Sequence, residues 1–170
     1  TYWTSTVYFY SSSRAWTVPF SQGKFGPAVQ SHYGLYALCV RNNQKTISFV
    51  DNGDNTITDQ KTRLIWQKED DGNKRTSAAA LSYCEGLTLG GKSDWRLPNI
   101  KELESIVDDG QASPSINSTY FTNTKSSNYI SSSRYILTGN THNSWVVSFG
   151  SGGFAMTDSS NYVRCVRGGQ

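Results

Sequence analysis

The chain has 170 residues, a formal charge of +3 and only 17% charged side chains, too few and too dispersed for the clustered Lys and Arg face of a nucleic-acid-binding surface. No run of about 18 apolar residues occurs, so membrane insertion is not expected, and Thr1-Tyr2-Trp3 shows no basic segment followed by an apolar one, so an exported form has already lost its signal. Aromatic residues make up 13% of the chain and Met occurs once, which moves the apolar volume into Trp, Tyr and Phe and favours sheets over helical bundles.

From the N-terminus, residues 1–43 consist of short blocks that recur near the end of the chain. Tyr2-Trp3-Thr4-Ser5-Thr6 reads like Tyr129-Ile130-Ser131-Ser132-Ser133, and Ala15-Trp16-Thr17-Val18-Pro19-Phe20 reads like Ser144-Trp145-Val146-Val147-Ser148-Phe149. Gly23-Lys24-Phe25 then matches Gly152-Gly153-Phe154, and Leu38-Cys39-Val40-Arg41 matches Arg164-Cys165-Val166-Arg167. Four blocks in one order at a near-constant interval mark an internal repeat. The stretch from about Gln44 to Ser127 has no earlier counterpart. Residues 1–43 are therefore read as the β-rich C-terminal portion of a truncated unit, and residues 44–170 as one complete domain.

Within that domain, Ile47–Val50 and Thr56–Thr58 flank Asp51-Asn52-Gly53-Asp54-Asn55, whose Asn-Gly step suits a tight hairpin. A turn at Gln60–Arg63 leads into a strand at Leu64-Ile65-Trp66. Thr76 or Ser77 can cap a helix through Ala78–Cys84 that stops near Gly86, with Ala80, Leu81 and Cys84 on its apolar face. After Trp95-Arg96-Leu97-Pro98, Asn99 and Glu102 stand in the relation of a capping box, and Ile100, Leu103, Ile106 and Val107 repeat at helical spacing. From Tyr129 the pattern changes to short strands at Tyr129–Ser133, Trp145–Phe149, Phe154–Met156 and Val163–Arg167. Two helices followed by mainly antiparallel strands give an α+β class.

Three cysteines, together with much Ser, Thr, Asn, Gly and Tyr, fit an exported protein with one disulfide and one cysteine left over. The repeat assigns the odd one: Cys39 lies in the truncated unit, whereas Cys84 and Cys165 both lie in the complete one and can pair. The alternative is that all three are reduced, buried thiols.

Asp51-Asn52-Gly53-Asp54-Asn55-Thr56-Ile57-Thr58-Asp59, Leu64-Ile65-Trp66-Gln67-Lys68, Asp94 through Leu103 and Val163 through Gly169 together resemble the C-terminal domain family of the Legionella collagen-like adhesin, over roughly Phe49 to Gly169. Arg96-Leu97-Pro98 with Glu102 is also similar to part of the formylglycine-generating enzyme family, a variant of the C-type lectin fold. The resemblance implies a C-type lectin-like domain, adhesion at bacterial surfaces, and ligands such as sulfated polysaccharides. Fold alone does not settle function.

No nucleophile or acid–base constellation is evident. His32 and His142 are the only histidines, and no catalytic motif or metal-spaced Cys/His cluster occurs. Formylglycine-generating chemistry resembles a copper–thiol reaction needing two free cysteines in one pocket, and a structural Cys84–Cys165 bridge is the simpler use of these two. No cofactor is expected beyond calcium, for which Asp51, Asp54 and Asp59 offer alternating oxygen ligands; the loop lacks the Glu that closes an EF-hand, and the competing reading is a turn whose side chains bond their own backbone. Trp66, Trp95 and Trp145 can stack on sugars but sit in apolar runs that suit a core. The long polar insertion from Arg134 to Asn143 is the expected contact surface, with Arg134, Tyr135, Asn140, His142 and Asn143 as binding residues, set against an ordinary solvated hairpin tip. Arg164 and Arg167 alternate with Val163 and Val166, giving either an anion-binding stripe or pairs with carboxylates. The sequence thus points to a non-enzymatic module, extracellular or on the bacterial cell surface, that binds a glycan or a surface protein. The other reading is a subunit or decorating domain of an extracellular fibre or pilus, self-associating through its truncated N-terminal unit.

Overall fold

The computed structural model describes residues 48–135 and 143–169 in full, and among residues 1–47 it describes four strands. These are β1 (Tyr2–Val7), β2 (Arg14–Val18), β3 (Gly26–Val29) and β4 (Tyr36–Ala37). They form one sheet in the order β3-β2-β1-β4, antiparallel except for the parallel pair β1 and β4.

The remaining strands form two antiparallel sheets. In the first, β5 (Phe49–Asp51), β6 (Thr56–Asp59), β7 (Leu64–Gln67) and β11 (Val166–Gly168) lie in the order β11-β7-β6-β5. The turn between β5 and β6 bends through positive φ at both Gly53 and Asn55, 75° and 67°, the two positions where Gly and Asn are tolerated best. The second sheet, in the order β10-β9-β8, contains β8 (Asn128–Arg134), β9 (Ser144–Ser148) and β10 (Phe154–Thr157).

Both helices begin as their sequences predict. Helix α1 (Ser77–Glu85) is capped by the Thr76 hydroxyl, which accepts from the Ala79 amide, and Gly86 ends it; Ala80 and Cys84 are buried and Leu81 is half-buried. Helix α2 (Ile100–Ser105) carries the full capping box: Asn99 accepts from the amides of Lys101 and Glu102, while Glu102 accepts from the Asn99 amide at 2.8 Å. It stops earlier than the apolar spacing predicts, because the Ser105 hydroxyl donates to the Glu102 carbonyl at 2.6 Å and competes for the helical ladder. Ile106 and Val107 remain buried all the same.

The β8–β10 sheet is covered on both faces. Ile130 and Val146 pack with Ala80, Cys84, Trp95 and Leu97 on the α1 side, and Tyr129, Val147 and Phe149 pack with Leu103, Ile106 and Trp66 on the α2 side, as strand alternation requires. A disulfide between Cys84 and Cys165, separated by 81 residues, ties α1 to the segment entering β11. The predicted final strand, Val163–Arg167, is shorter than expected and starts at Val166. The side-chain carbonyl of Gln67 accepts from the Cys165 amide at 3.1 Å in place of a strand partner, and Arg164 turns inward beneath β7.

Candidate functional site

The expected contact surface sits at the neck of the β8–β9 hairpin. Arg134 pairs with Ser144 in register, and the Tyr135 amide donates to the Asn143 carbonyl at 2.9 Å, so β-pairing runs on past the end of β8. Arg134 is exposed, while Tyr135 and Asn143 are half-buried. Of the five predicted binding residues, these three are therefore brought together, while Asn140 and His142 lie outside the described residues.

Trp145 completes this group. Its ring meets that of Tyr135 edge-on, 5.4 Å between centroids at 87°, a favoured aromatic arrangement. Trp66 and Trp95 are fully buried in the core, but Trp145 is only half-buried. Its cross-strand partner is Met156, one of the two large apolar side chains left exposed among the described residues. Trp145 and Met156 share the sheet face of Val147 and Phe154, so they extend the α2-covered face outward toward the hairpin. An apolar run identical in character to that around Trp66 concealed this in sequence; only strand register separates the two.

The acidic hairpin uses its carboxylates locally. Asp51 accepts from the Gly53 amide at 3.0 Å and from Lys68 Nζ at 2.6 Å, Asp54 accepts from the Thr56 amide and hydroxyl, and Asp59 accepts from the Lys61 amide and the Thr62 hydroxyl. The hydrogen bond from Lys68 and the one from the Gly53 amide hold the Asp51 carboxyl below its ordinary value of 3.8. Among the described residues no three His, Cys, Asp or Glu side chains are placed to hold a metal. Each of these three carboxylates thus accepts hydrogen bonds from its own turn. Asp54 also receives the loop at Leu89–Lys92, where a Cβ on Gly90 would stand 2.7 Å from its Oδ2 at a φ of +58°. Gly90→Ala is expected to lower stability by about 1–3 kcal/mol, measured by urea unfolding; a wild-type midpoint would contradict this packing.

Arg164 and Arg167 both stand against carboxylates, one of the two arrangements their alternation allows. Arg167 donates to both oxygens of Asp94 at 2.7 and 3.0 Å. Arg164 is fully buried: it donates to the carbonyls of Gln67 and Lys68 and to the Thr124 hydroxyl, and it stands 3.4 Å from Asp70 Oδ2. That carboxylate also accepts from the buried Tyr129 hydroxyl at 2.5 Å. Burial pushes the Arg164 guanidinium below its ordinary value and the Tyr129 phenol above its own.

A concavity of about 290 Å³ opens between β7 and α2, lined by residues that include Thr62, Lys101, Glu102 and Ser105. Its polar groups already have partners: Thr62 donates to Asp59, Ser105 to the Glu102 carbonyl, and Glu102 receives Arg96 at 2.7 and 2.8 Å. Burial alone would raise the Glu102 carboxyl, but the hydrogen bonds from Arg96 and the Asn99 amide outweigh it and hold it below 4.5. Its contribution to stability is accordingly present above 4.5 and lost as pH falls through the lowered folded value. Thermal midpoints are expected to fall from about pH 4.5 downward, and less steeply in Glu102→Gln; identical profiles would contradict this.

These features define a disulfide-clasped α+β domain with a polar, aromatic-bearing hairpin at one end of its sheet. The chain belongs to the Lcl C-terminal domain family, which matches residues 55–167. Membership makes it a surface- or adhesin-associated domain, and among the described residues no helix is long and apolar enough to cross a membrane. No curated protein matches the chain.

Proposed function

We propose that this chain is a non-enzymatic extracellular adhesion module that recognises glycan or protein ligands at the bacterial surface through the β8–β9 hairpin end. The observation that carries the reading is the Tyr135–Trp145 edge-to-face pair, half-exposed beside Met156, with the exposed Arg134 preceding Tyr135 in the chain. A flat aromatic face complements the apolar side of a sugar ring, a guanidinium complements sulfate or carboxylate, and both stand on a sheet held rigid from two sides. The family resemblance makes sulfated polysaccharides the first ligands to test. The reading involves no chemical step and no cofactor, and the joining of Cys84 to Cys165 supports it over copper–thiol chemistry.

The test is a glycan array that includes heparin, probed with wild type, Arg134→Ala and Trp145→Ala. Each variant is expected to lose at least tenfold in affinity, about 1.4 kcal/mol, with an unchanged circular dichroism spectrum. Wild-type binding by both variants would overturn the reading.

A further inference from the structure

Methionine occurs once in the 170 residues, and it lies outside the core. Its unbranched, polarizable side chain ordinarily fills irregular gaps in an interior. Met156 instead stands on β10, the edge strand of the β10-β9-β8 sheet. It belongs to neither apolar cluster and is 37% exposed.

The hydrogen-bond pattern fixes what lies beside it. The Ser148 amide donates to the Gly153 carbonyl at 2.8 Å, so along this antiparallel pair the bonded positions are Ser148 with Gly153 and Val146 with Ala155. Met156 and Trp145 therefore form a non-hydrogen-bonded pair, the position at which opposite side chains approach most closely. Trp145 in turn holds the Tyr135 ring against its own at 5.4 Å. The thioether is thus part of the apolar surface at the hairpin end, on the same face of the sheet as the indole.

A thioether is also a two-electron reductant. The other sulfurs of the described residues, those of Cys84 and Cys165, are joined to each other and buried, and Trp66 and Trp95 are buried as well. Among the described residues, a peroxide in the surrounding solution meets an accessible sulfur at Met156.

We propose that Met156 is an oxidation site through which peroxides control the hairpin surface: its sulfoxide weakens ligand binding, and reduction of the sulfoxide restores it. The inference rests on the adhesion reading given above. In the step itself a sulfur lone pair attacks one peroxide oxygen, and the S–O bond forms as the O–O bond breaks. The sulfur is oxidised by two electrons; the other oxygen leaves as hydroxide, takes the proton of the transferred oxygen and becomes water. A flexible apolar side chain becomes a polar one with a strong acceptor. That oxygen stands next to the surface offered to the apolar side of a sugar ring, and covering it there without a donor is costly. Because Met156 is outside the core and on an edge strand, the change falls on the surface and leaves the packing intact, so a methionine sulfoxide reductase can reverse it.

The test is treatment of the full chain with hydrogen peroxide, followed by peptide mass spectrometry, circular dichroism and binding to immobilised heparin. The Met156 peptide is expected to gain one oxygen about as fast as a methionine in an unstructured peptide, with an unchanged circular dichroism spectrum. Affinity is expected to fall about tenfold or more, and methionine sulfoxide reductase to restore it. Met156→Leu, which conserves volume and has no sulfur, is expected to keep its own affinity through the same treatment. Met156→Gln, with a polar group at the same place, is expected to bind as weakly as the oxidised protein without any peroxide. A Met156 that resists oxidation, an oxidised protein that binds as tightly as the untreated one, or an equal loss in peroxide-treated Met156→Leu would overturn the inference and leave the adhesion reading standing. Untreated protein that fails to bind heparin would overturn that reading, and the inference with it.

Discussion

Replacing Cys84 and Cys165 together by serine lowers the unfolding free energy by about 2–5 kcal/mol. The bridge closes a loop of 81 residues, and a loop that long leaves the unfolded chain much freer once it opens, worth about 4–5 kcal/mol in the chain-entropy account. The loss falls on one place in particular. α1 offers only Ala80 and Cys84 as fully buried residues, so without the bridge its hold on β8 rests on a narrow apolar contact. Urea unfolding of wild type and the double variant checks the figure. A difference below about 1 kcal/mol would mean that packing alone fixes α1.

Asp70→Ala carries a loss of similar size, about 3–5 kcal/mol, because it leaves the Arg164 guanidinium buried and uncompensated. Arg164 is 0% exposed and cannot swing out to water. Its hydrogen bonds from the two terminal nitrogens to the Gln67 and Lys68 carbonyls and to Thr124 survive the change, but they leave Nε without a partner and the charge uncompensated, and the Tyr129 hydroxyl loses its acceptor as well. Asp70→Ala combined with Arg164→Leu is expected to recover part of the loss, since Leu fills the space without requiring a counter-ion. A double variant no better than Asp70→Ala would show that the pair contributes through its hydrogen bonds and not through charge balance.

What the sequence reveals about this fold divides by the range of the interactions involved. The capping box at Asn99 and Glu102, the Thr76 cap and the Asn52-Gly53 turn are written within five residues of one another, and each is found in the structure. The Cys84–Cys165 bond was also legible, because the repeat set Cys39 apart. The rest depended on contacts far along the chain. Val163 to Arg167 alternates like a strand, yet Gln67, 98 residues away, takes the Cys165 amide, and Arg164 is drawn inward to Asp70, 94 residues away. In the acidic hairpin the carboxylates accept from amides and hydroxyls within a few residues. In the candidate site, Arg134, Tyr135 and Asn143 of the polar insertion stand at the neck of the β8–β9 hairpin. Trp145 reads like a core residue because the composition around it matches that of Trp66, yet it is only half-buried, opposite the exposed Met156.

The contact surface itself is tested most directly by nuclear magnetic resonance titration of the isotopically labelled protein with a heparin oligosaccharide. The account predicts saturable shifts concentrated at Arg134, Tyr135, Asn143 and the Trp145 indole, with the groove around Thr62 and Glu102 unaffected. Saturable shifts confined to that groove or to the Asp51–Asp59 hairpin, or no shift at millimolar oligosaccharide, would contradict it.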